Sequence, residues 1–437
     1  MPIIIAIIIW AIFNPGILDY DGMTYAYSAI TGQGFQDYRP MAPMLAMRVL
    51  FLVTNSVAVW TLLLSLSISI LSYKLIESLC IHFELSTKLI GILWLSIILI
   101  TPLFLYMVYV ENSSLLLIPL IACTTIIVQK KGEVKDISWF IFWLSIAPLI
   151  RDSAVLLFIP GAFLLYDLSN RFKKSLRYFF AIAPIILFLV VKGSIYSNIP
   201  HTTKHVASEF MFLDVVGAVK LDERIGYEVP YITNSFKRGW KEGHKFGAIT
   251  RLSPYVVNNI NMVFWGTPDE RIAPAKRIPE IQEAWIQVVT HHPWTLVKVK
   301  LITFIQFFNP KENTDGWAWT GIAKYLVQIN PNPFFTSIRE KLIYNGSIKT
   351  RNPSISVLLR GGECVWFPIS IILLGWSLWK RTEIWKWLIL PISYVLSYGI
   401  VTVQIAHKYL YPATAVVQLI VIVWLAYVLK NILRKRR

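Results

Sequence analysis

The first 45 residues read MPIIIAIIIWAIFNPGILDYDGMTYAYSAITGQGFQDYRPMAPML (Met1–Leu45). An apolar run of helix-forming residues breaks at Asn14-Pro15-Gly16. It gives way to a stretch carrying Asp19, Asp21, Asp37, Arg39 and the tyrosines 20, 25, 27 and 38. A second apolar stretch follows at once. A chain made for water does not begin with carboxylates and aromatic rings between two greasy runs. A chain made for lipid does, where its first loop emerges at the membrane surface.

The rest of the chain agrees. It has 437 residues, of which 55% are hydrophobic and 15% charged, and its mean hydropathy is +0.56. A soluble domain carries about a quarter charged residues. Apolar segments recur near 2–13, 56–74, 88–108, 113–129, 137–150, 153–167, 177–196, 365–380, 384–403 and 410–430. Several approach the ~20 residues that span a hydrocarbon core. The alternating ten-residue strands of a membrane barrel are missing. The sequence therefore predicts an all-α polytopic membrane protein, a bundle of 10–11 transmembrane helices with an external, partly helical domain. Residues 41–53 are apolar too and either begin the second helix or lie in the interface.

The formal charge is +17, from 42 basic and 25 acidic residues. In a soluble protein this would suggest nucleic acid. Here the cations gather in short loops, "KLIESLCIHFELSTK", "QKKGEVK", "NRFKKSLR" and "KRTEIWK", and in the tail "KNILRKRR". All fall on one side if both termini are cytoplasmic, as the positive-inside rule asks. Residues 14–40, 109–112, 151–152, about 197–364 and 404–409 then lie outside. This divides the chain into an N-terminal membrane module (1–196), an external block (197–364) and C-terminal membrane helices with a basic tail (365–437). The segment 294–310 is apolar enough to tempt a further span, but Lys298 and Lys300 near its start suit a helix lying in the interface. The 280–290 region has helical periodicity. The N-terminus lacks a basic region and a cleavage site and reads as a first helix. Cys80, Cys123 and Cys364 are far apart and form neither a disulfide framework nor a zinc pattern.

Four external elements carry chemistry. In the first loop, Asp21 and Tyr25 are four apart and share a face on a helix. Asp19 stands two residues before Asp21, and Arg39-Pro40 closes the loop; the plain alternative is a solvated loop with an aspartate cap. In "FLYMVYVENSSLLL", Glu111 sits in a tight turn where Asn112 or Ser113 could cap the next helix. In "APLIRDSAVLLFIP", Arg151 and Asp152 mark a turn and could pair with each other. An external arginine also suits a lipid-borne phosphate, which its planar fork binds with paired, charge-assisted hydrogen bonds. In "QIAHKYLYPATA", His407, Lys408, Tyr409 and Tyr411 either meet a phosphate or anchor a helix end. His201 and His205 are four apart without an acid to complete a metal site.

Taken in order, these elements resemble the GT-C superfamily of integral-membrane glycosyltransferases, which includes protein O-mannosyltransferases and the aminoarabinose transferases acting on lipid A. The first external loop of that family has the form D-E-x-x-Y, followed by a small-residue helix, a glycine and R-P or P-P. Here it reads Asp21-Gly-Met-Thr-Tyr25, "AYSAITGQG" and Arg39-Pro40. The hairpin with Glu111, the segment from Arg151 to Pro160, and His407 to Pro412 are similar to later family elements. Gly22 stands where the family has glutamate, and His407-Lys408 where it has arginine. The resemblance implies transfer of a sugar from a polyprenyl-phosphate donor to a glycan, lipid or cell-envelope acceptor on the external face, with inversion. It implies Asp21 as general base, with Asp19 and Glu111 beside it. Arg151, Arg39, Lys408 and His407 would bind phosphate, with Tyr25 and Tyr409 lining the substrate. It implies no obligatory cofactor; a divalent metal would need Asp19, Asp21 and Glu111 to converge. The membrane would be a bacterial inner membrane. An O-antigen polymerase or ligase, and more remotely a lipid or solute transporter, are the alternatives.

Overall fold

The computed structural model describes residues 1–17, 20–35, 40–101, 103–201, 206–222, 224–229, 278–306, 333–335, 338, 363–401 and 407–435. They are almost wholly helical, and among them the sole β pairing is an isolated parallel bridge between Ile17 and Tyr109. The helices are α1 (Pro2–Phe13), α2 (Tyr20–Thr31), α3 (Met41–Thr54), α4 (Ala58–His82), α5 (Thr87–Ile100), α6 (Leu103–Tyr106), α7 (Asn112–Gln129) and α8 (Val134–Ile150). A 3-10 turn (Asp152–Leu157) runs into α9 (Phe158–Leu168), followed by α10 (Lys174–Asn198), α11 (Val206–Leu221) and α12 (Ile225–Glu228). After residues outside the described set come α13 (Ile278–His291), α14 (Pro293–Gln306), α15 (Glu363–Trp379), α16 (Ile384–Val401) and α17 (His407–Lys435).

Four of the described helices are long and apolar enough to cross a membrane: Ala58–His82, Asn112–Gln129, Lys174–Asn198 and Leu410–Lys435. The surface is apolar where a soluble protein's would not be, with Ile4, Ile159, Ile182, Leu189 and Ile372 all exposed. The chain is an all-α membrane protein.

Lipid leaves no water to satisfy polar groups, so helices that touch there exchange hydrogen bonds or small side chains. α4 does this along one stripe. Thr61, Ser65 and Ser69, four residues apart, donate to the carbonyls of Pro15, Ala6 and Pro2 at 2.7, 3.0 and 2.7 Å. That seam holds the short α1 along α4. Further down, Ser72 Oγ accepts from Trp94 Nε1 of α5 at 3.0 Å, and Ser78 Oγ accepts from Gln129 Nε2 of α7 at 2.9 Å. Bonds of this kind average about 0.6 kcal/mol each, so α4 is held by their number and by packing.

The apolar runs expected near 88–108 and 153–167 are each divided, the latter into the 3-10 turn and α9. The apolar run 88–108 is not one helix. Thr101 is extended (φ −102°, ψ 163°) and starts a new turn, its Oγ accepting from Leu103 N at 3.3 Å. The following residue is Pro102, whose ring disfavours helix at the position before it. The apolar residues 41–53 form a helix of their own, α3, closed by Asn55 in the left-handed conformation (φ 52°). Over 294–310 the described part is the 14-residue α14. Its Lys300 Nζ lies 2.5 Å from Asp214 Oδ1 of α11, and Trp285 Nε1 of α13 donates to Asp214 Oδ2 at 3.2 Å. Its other end meets the membrane helices, with Phe304 against Gly399 and 6.2 Å from the Phe367 ring. At the exposed edge of this unit, Arg224 holds the Asp222 carboxyl down to about 2.

Gly16 has φ +132°, and a Cβ there would fall on Thr61 Cγ2 and crowd the Val108 carbonyl. Gly16→Ala is therefore expected to cost roughly 1–3 kcal/mol and lower the thermal midpoint in detergent. Gly193→Ala, where a Cβ meets nothing within 4 Å, should be neutral or stabilising by up to about 1 kcal/mol. Equal behaviour of the two would show that the Gly16 crossing is not tight.

Candidate functional site

The site grows from the turn after α6. Ile17 N donates to Val108 O and Val110 N donates to Ile17 O, both at 2.9 Å. The first loop is thus hung by its backbone on the segment that leads into Glu111. Tyr25 of α2 is buried in the cluster that also contains Met41, Met44, Met47 and Val110. Arg48 of α3 closes the far end of α2, donating to the carbonyls of Ala29 and Ile30 at 2.7 and 2.6 Å.

Glu111 is extended (φ −155°, ψ 158°) and caps α7 itself, its Oε2 accepting from Ser113 N at 2.6 Å. The sequence had offered Asn112 or Ser113 for that task. A residue in the β region ahead of the first turn points its side chain back at the free N–H groups, so the acid takes the position. Its other oxygen, Oε1, lies 3.9 Å from Arg151 Nη1. Arg151 Nη1 also donates to Ser113 Oγ at 2.8 Å, and the guanidinium lies 5.3 Å from the centre of the Tyr398 ring. The side chains of Glu111 and Arg151 are 5% and 13% exposed. A carboxylate, a hydroxyl and an aromatic ring therefore hold this cation at the junction of α7, α8 and α16.

Arg151 and Asp152 do not pair with each other. Arg151 is extended (φ −151°, ψ 119°) while Asp152 begins the 3-10 turn, so the two side chains leave the backbone in different directions. Asp152 Oδ1 instead meets Lys192 Nζ of α10 at 2.9 Å.

The last helix reaches the same turn. Tyr411 of α17 stacks on Tyr106 with ring centres 3.9 Å apart and planes 15° from parallel, and Tyr106 meets Tyr109 edge-on at 5.8 Å. All three rings are fully buried. All four sequence elements thus send chain to the 106–113 segment. Their individual site residues fare differently. Glu111, Arg151 and Tyr25 are placed. Asp21 lies in α2, and His407, Lys408 and Tyr409 in the first turn of α17, but their side chains are outside the described residues, as are Asp19 and Arg39 altogether. His205 also lies outside.

The structure adds partners with no local signal in the sequence, Tyr106, Lys192 and Tyr398, and gives Ser113 to Arg151 as an acceptor. Among the described residues, Asn112 Oδ1 and Ser114 Oγ, within three residues of Glu111 in the chain, are buried without a hydrogen-bond partner. No group of three or more His, Cys, Asp or Glu gathers among the described residues. Chemically, the arrangement offers a fixed, largely buried guanidinium, whose planar fork suits an anion. Comparison with protein-family profiles, curated proteins and solved structures gives no match for this chain.

Removing Glu111 leaves a largely buried cation with one partner fewer. Glu111→Gln should destabilise by on the order of 3 kcal/mol. A cycle with Arg151→Gln should show coupling of roughly 1–3 kcal/mol, read from denaturation midpoints. Additive losses would mean that the two side chains act separately.

Proposed function

We propose that this protein is a polytopic membrane glycosyltransferase. It moves a sugar from a polyprenyl-phosphate donor to a glycan, lipid or cell-envelope acceptor at the membrane surface. The observation that supports this most is the meeting of the first loop, the Glu111 turn, Arg151 and the last helix at one place. Those are the elements whose order resembles the GT-C enzymes.

In this reading, ten helices span the membrane and both termini are cytoplasmic in a bacterial inner membrane. The first loop and the 197–364 domain face outward. Asp21 takes the proton from the acceptor hydroxyl. The hydroxyl oxygen bonds to the anomeric carbon as the carbon–phosphate oxygen bond breaks. Polyprenyl phosphate leaves with that electron pair. One displacement inverts the centre, and a nearby carboxylate, with Asp19 as its helper, stabilises the oxocarbenium-like charge. Arg151 holds the departing phosphate, joined by Lys408, His407 or Arg39. Glu111, already engaged with Ser113 N–H and near Arg151, acts by setting the position of that guanidinium. Tyr25 and Tyr409 belong to the walls. A polymerase or ligase would use the external arginines and the large loop, and would not need the early acidic stretch.

The test is transfer in proteoliposomes from a panel of polyprenyl-phosphate sugars. Asp21→Asn should lower the rate by about 10²–10⁴ while leaving donor binding in place. Arg151→Gln should weaken donor binding. Full activity in the Asp21 variant would remove it as base. Absence of transfer from every donor, with solute movement instead, would establish the transporter.

A further inference from the structure

We propose that the outer face of α10 and the cations at its foot bind an anionic glycerophospholipid, at the end of the bundle opposite Glu111 and Arg151. Only 17% of the spanning window of α10 is buried in the protein, against 78% for α7, so most of α10 needs another cover. Its inner face is committed, with Pro184 and Phe188 buried and the Phe188 ring 5.6 Å from Phe158. Its outer face presents Phe179, Ile182, Ile186 and Leu189 at helical spacing, all exposed, and beyond them Gly193 opens onto empty space. From 179 to 193 this stripe is about 21 Å long at the helical rise, more than the ~15 Å hydrocarbon depth of one leaflet.

The foot of the stripe is charged. Arg171, Lys173 and Lys174 are exposed, and none forms an ion pair among the described residues. The first turn of α10 holds no carboxylate, and its N-cap makes no side-chain bond. Lys130, Lys386 and Arg177, also at this end, are already engaged. Lys130 pairs with Glu383, and Lys386 Nζ lies 2.5 Å from Asp167 Oδ2. Arg177 is turned inward, donating from Nε to the Tyr166 carbonyl at 3.0 Å with its guanidinium 3.7 Å over the Tyr166 ring. Tyr178 is left exposed beside the foot, the kind of residue that sits at headgroup level.

Three uncompensated cations under an apolar stripe match one kind of occupant. A phosphodiester headgroup neutralises the foot while its acyl chains cover the stripe. A zwitterionic lipid would bring its own cation to the foot, and a free anion would leave the stripe bare.

The experiment is lipid retention by the purified full chain, read by native mass spectrometry with phosphatidylglycerol and phosphatidylcholine supplied in equal amounts. Wild type should retain phosphatidylglycerol preferentially. A cation at an anionic surface is worth about a factor of five, so Lys173→Gln/Lys174→Gln should weaken that retention roughly 30-fold. Lys173→Arg/Lys174→Arg should keep it, which separates lost charge from lost folding. Arg434→Gln/Lys435→Gln, in the basic tail, should also keep it. Equal retention of the two lipids by wild type would overturn the site. So would loss in the tail variant with retention in the foot variant, or displacement of the lipid by inorganic phosphate alone.

Discussion

A carboxylate at the mouth of a helix organises this molecule. Glu111 caps α7 with one oxygen and lies near Arg151 with the other. Three and one residues earlier, Val108 and Val110 carry the first loop by backbone bonds to Ile17. A charge so little exposed is tolerated only when its oxygens are occupied. Its demands fix where α7 begins, where α8 ends and where Arg151 points. Tyr106, at the end of α6 just before this turn, stacks on Tyr411 and brings the last helix to the same place. Change the conformation of this one turn and four distant parts of the chain lose their common reference.

The bundle is fastened at its other end by a second set of charges. α7 is 18 residues long, so its far end lies about 27 Å from Glu111 at the helical rise. There Lys130 meets Glu383, and Lys386 meets Asp167. Between the two ends the helices are joined by apolar packing and by the serines and threonine of α4, which give donors to α1 without bringing charge into the core. The candidate chemistry and the basic rim are thus separated by the full height of the membrane helices.

Much of this was legible in the chain. Apolar runs near 2–13, 113–129, 137–150 and 177–196 became helices at those places because a segment in lipid must satisfy its backbone internally. The predicted shared face of Asp21 and Tyr25 rests on a helix that does form over Tyr20–Thr31. The apolar count over 88–108 concealed the break after Thr101, next to Pro102 in the chain. Arg151 was readable as an unusual charge between apolar helices, but its protein partner was left open. Sequence adjacency offered Asp152 as one partner, whereas the backbone turn sent Asp152 to Lys192 and Arg151 toward Glu111, forty residues away. The cap on α7 was misjudged for a similar reason: residue type suggested asparagine or serine, and the extended backbone of residue 111 selected glutamate.

By itself the sequence determined the solvent this protein needs, its all-helical class and the residues able to carry charge at a membrane surface. Those follow from composition and local spacing, because transfer free energies and backbone satisfaction act segment by segment. Only the tertiary structure decided which charges meet, that Glu111 holds a helix and an arginine at once, that Tyr411 lies on Tyr106, and that α10 keeps its outer face for something else. Those depend on which helices lie side by side, and contacts between residues hundreds of positions apart leave no local mark in the chain.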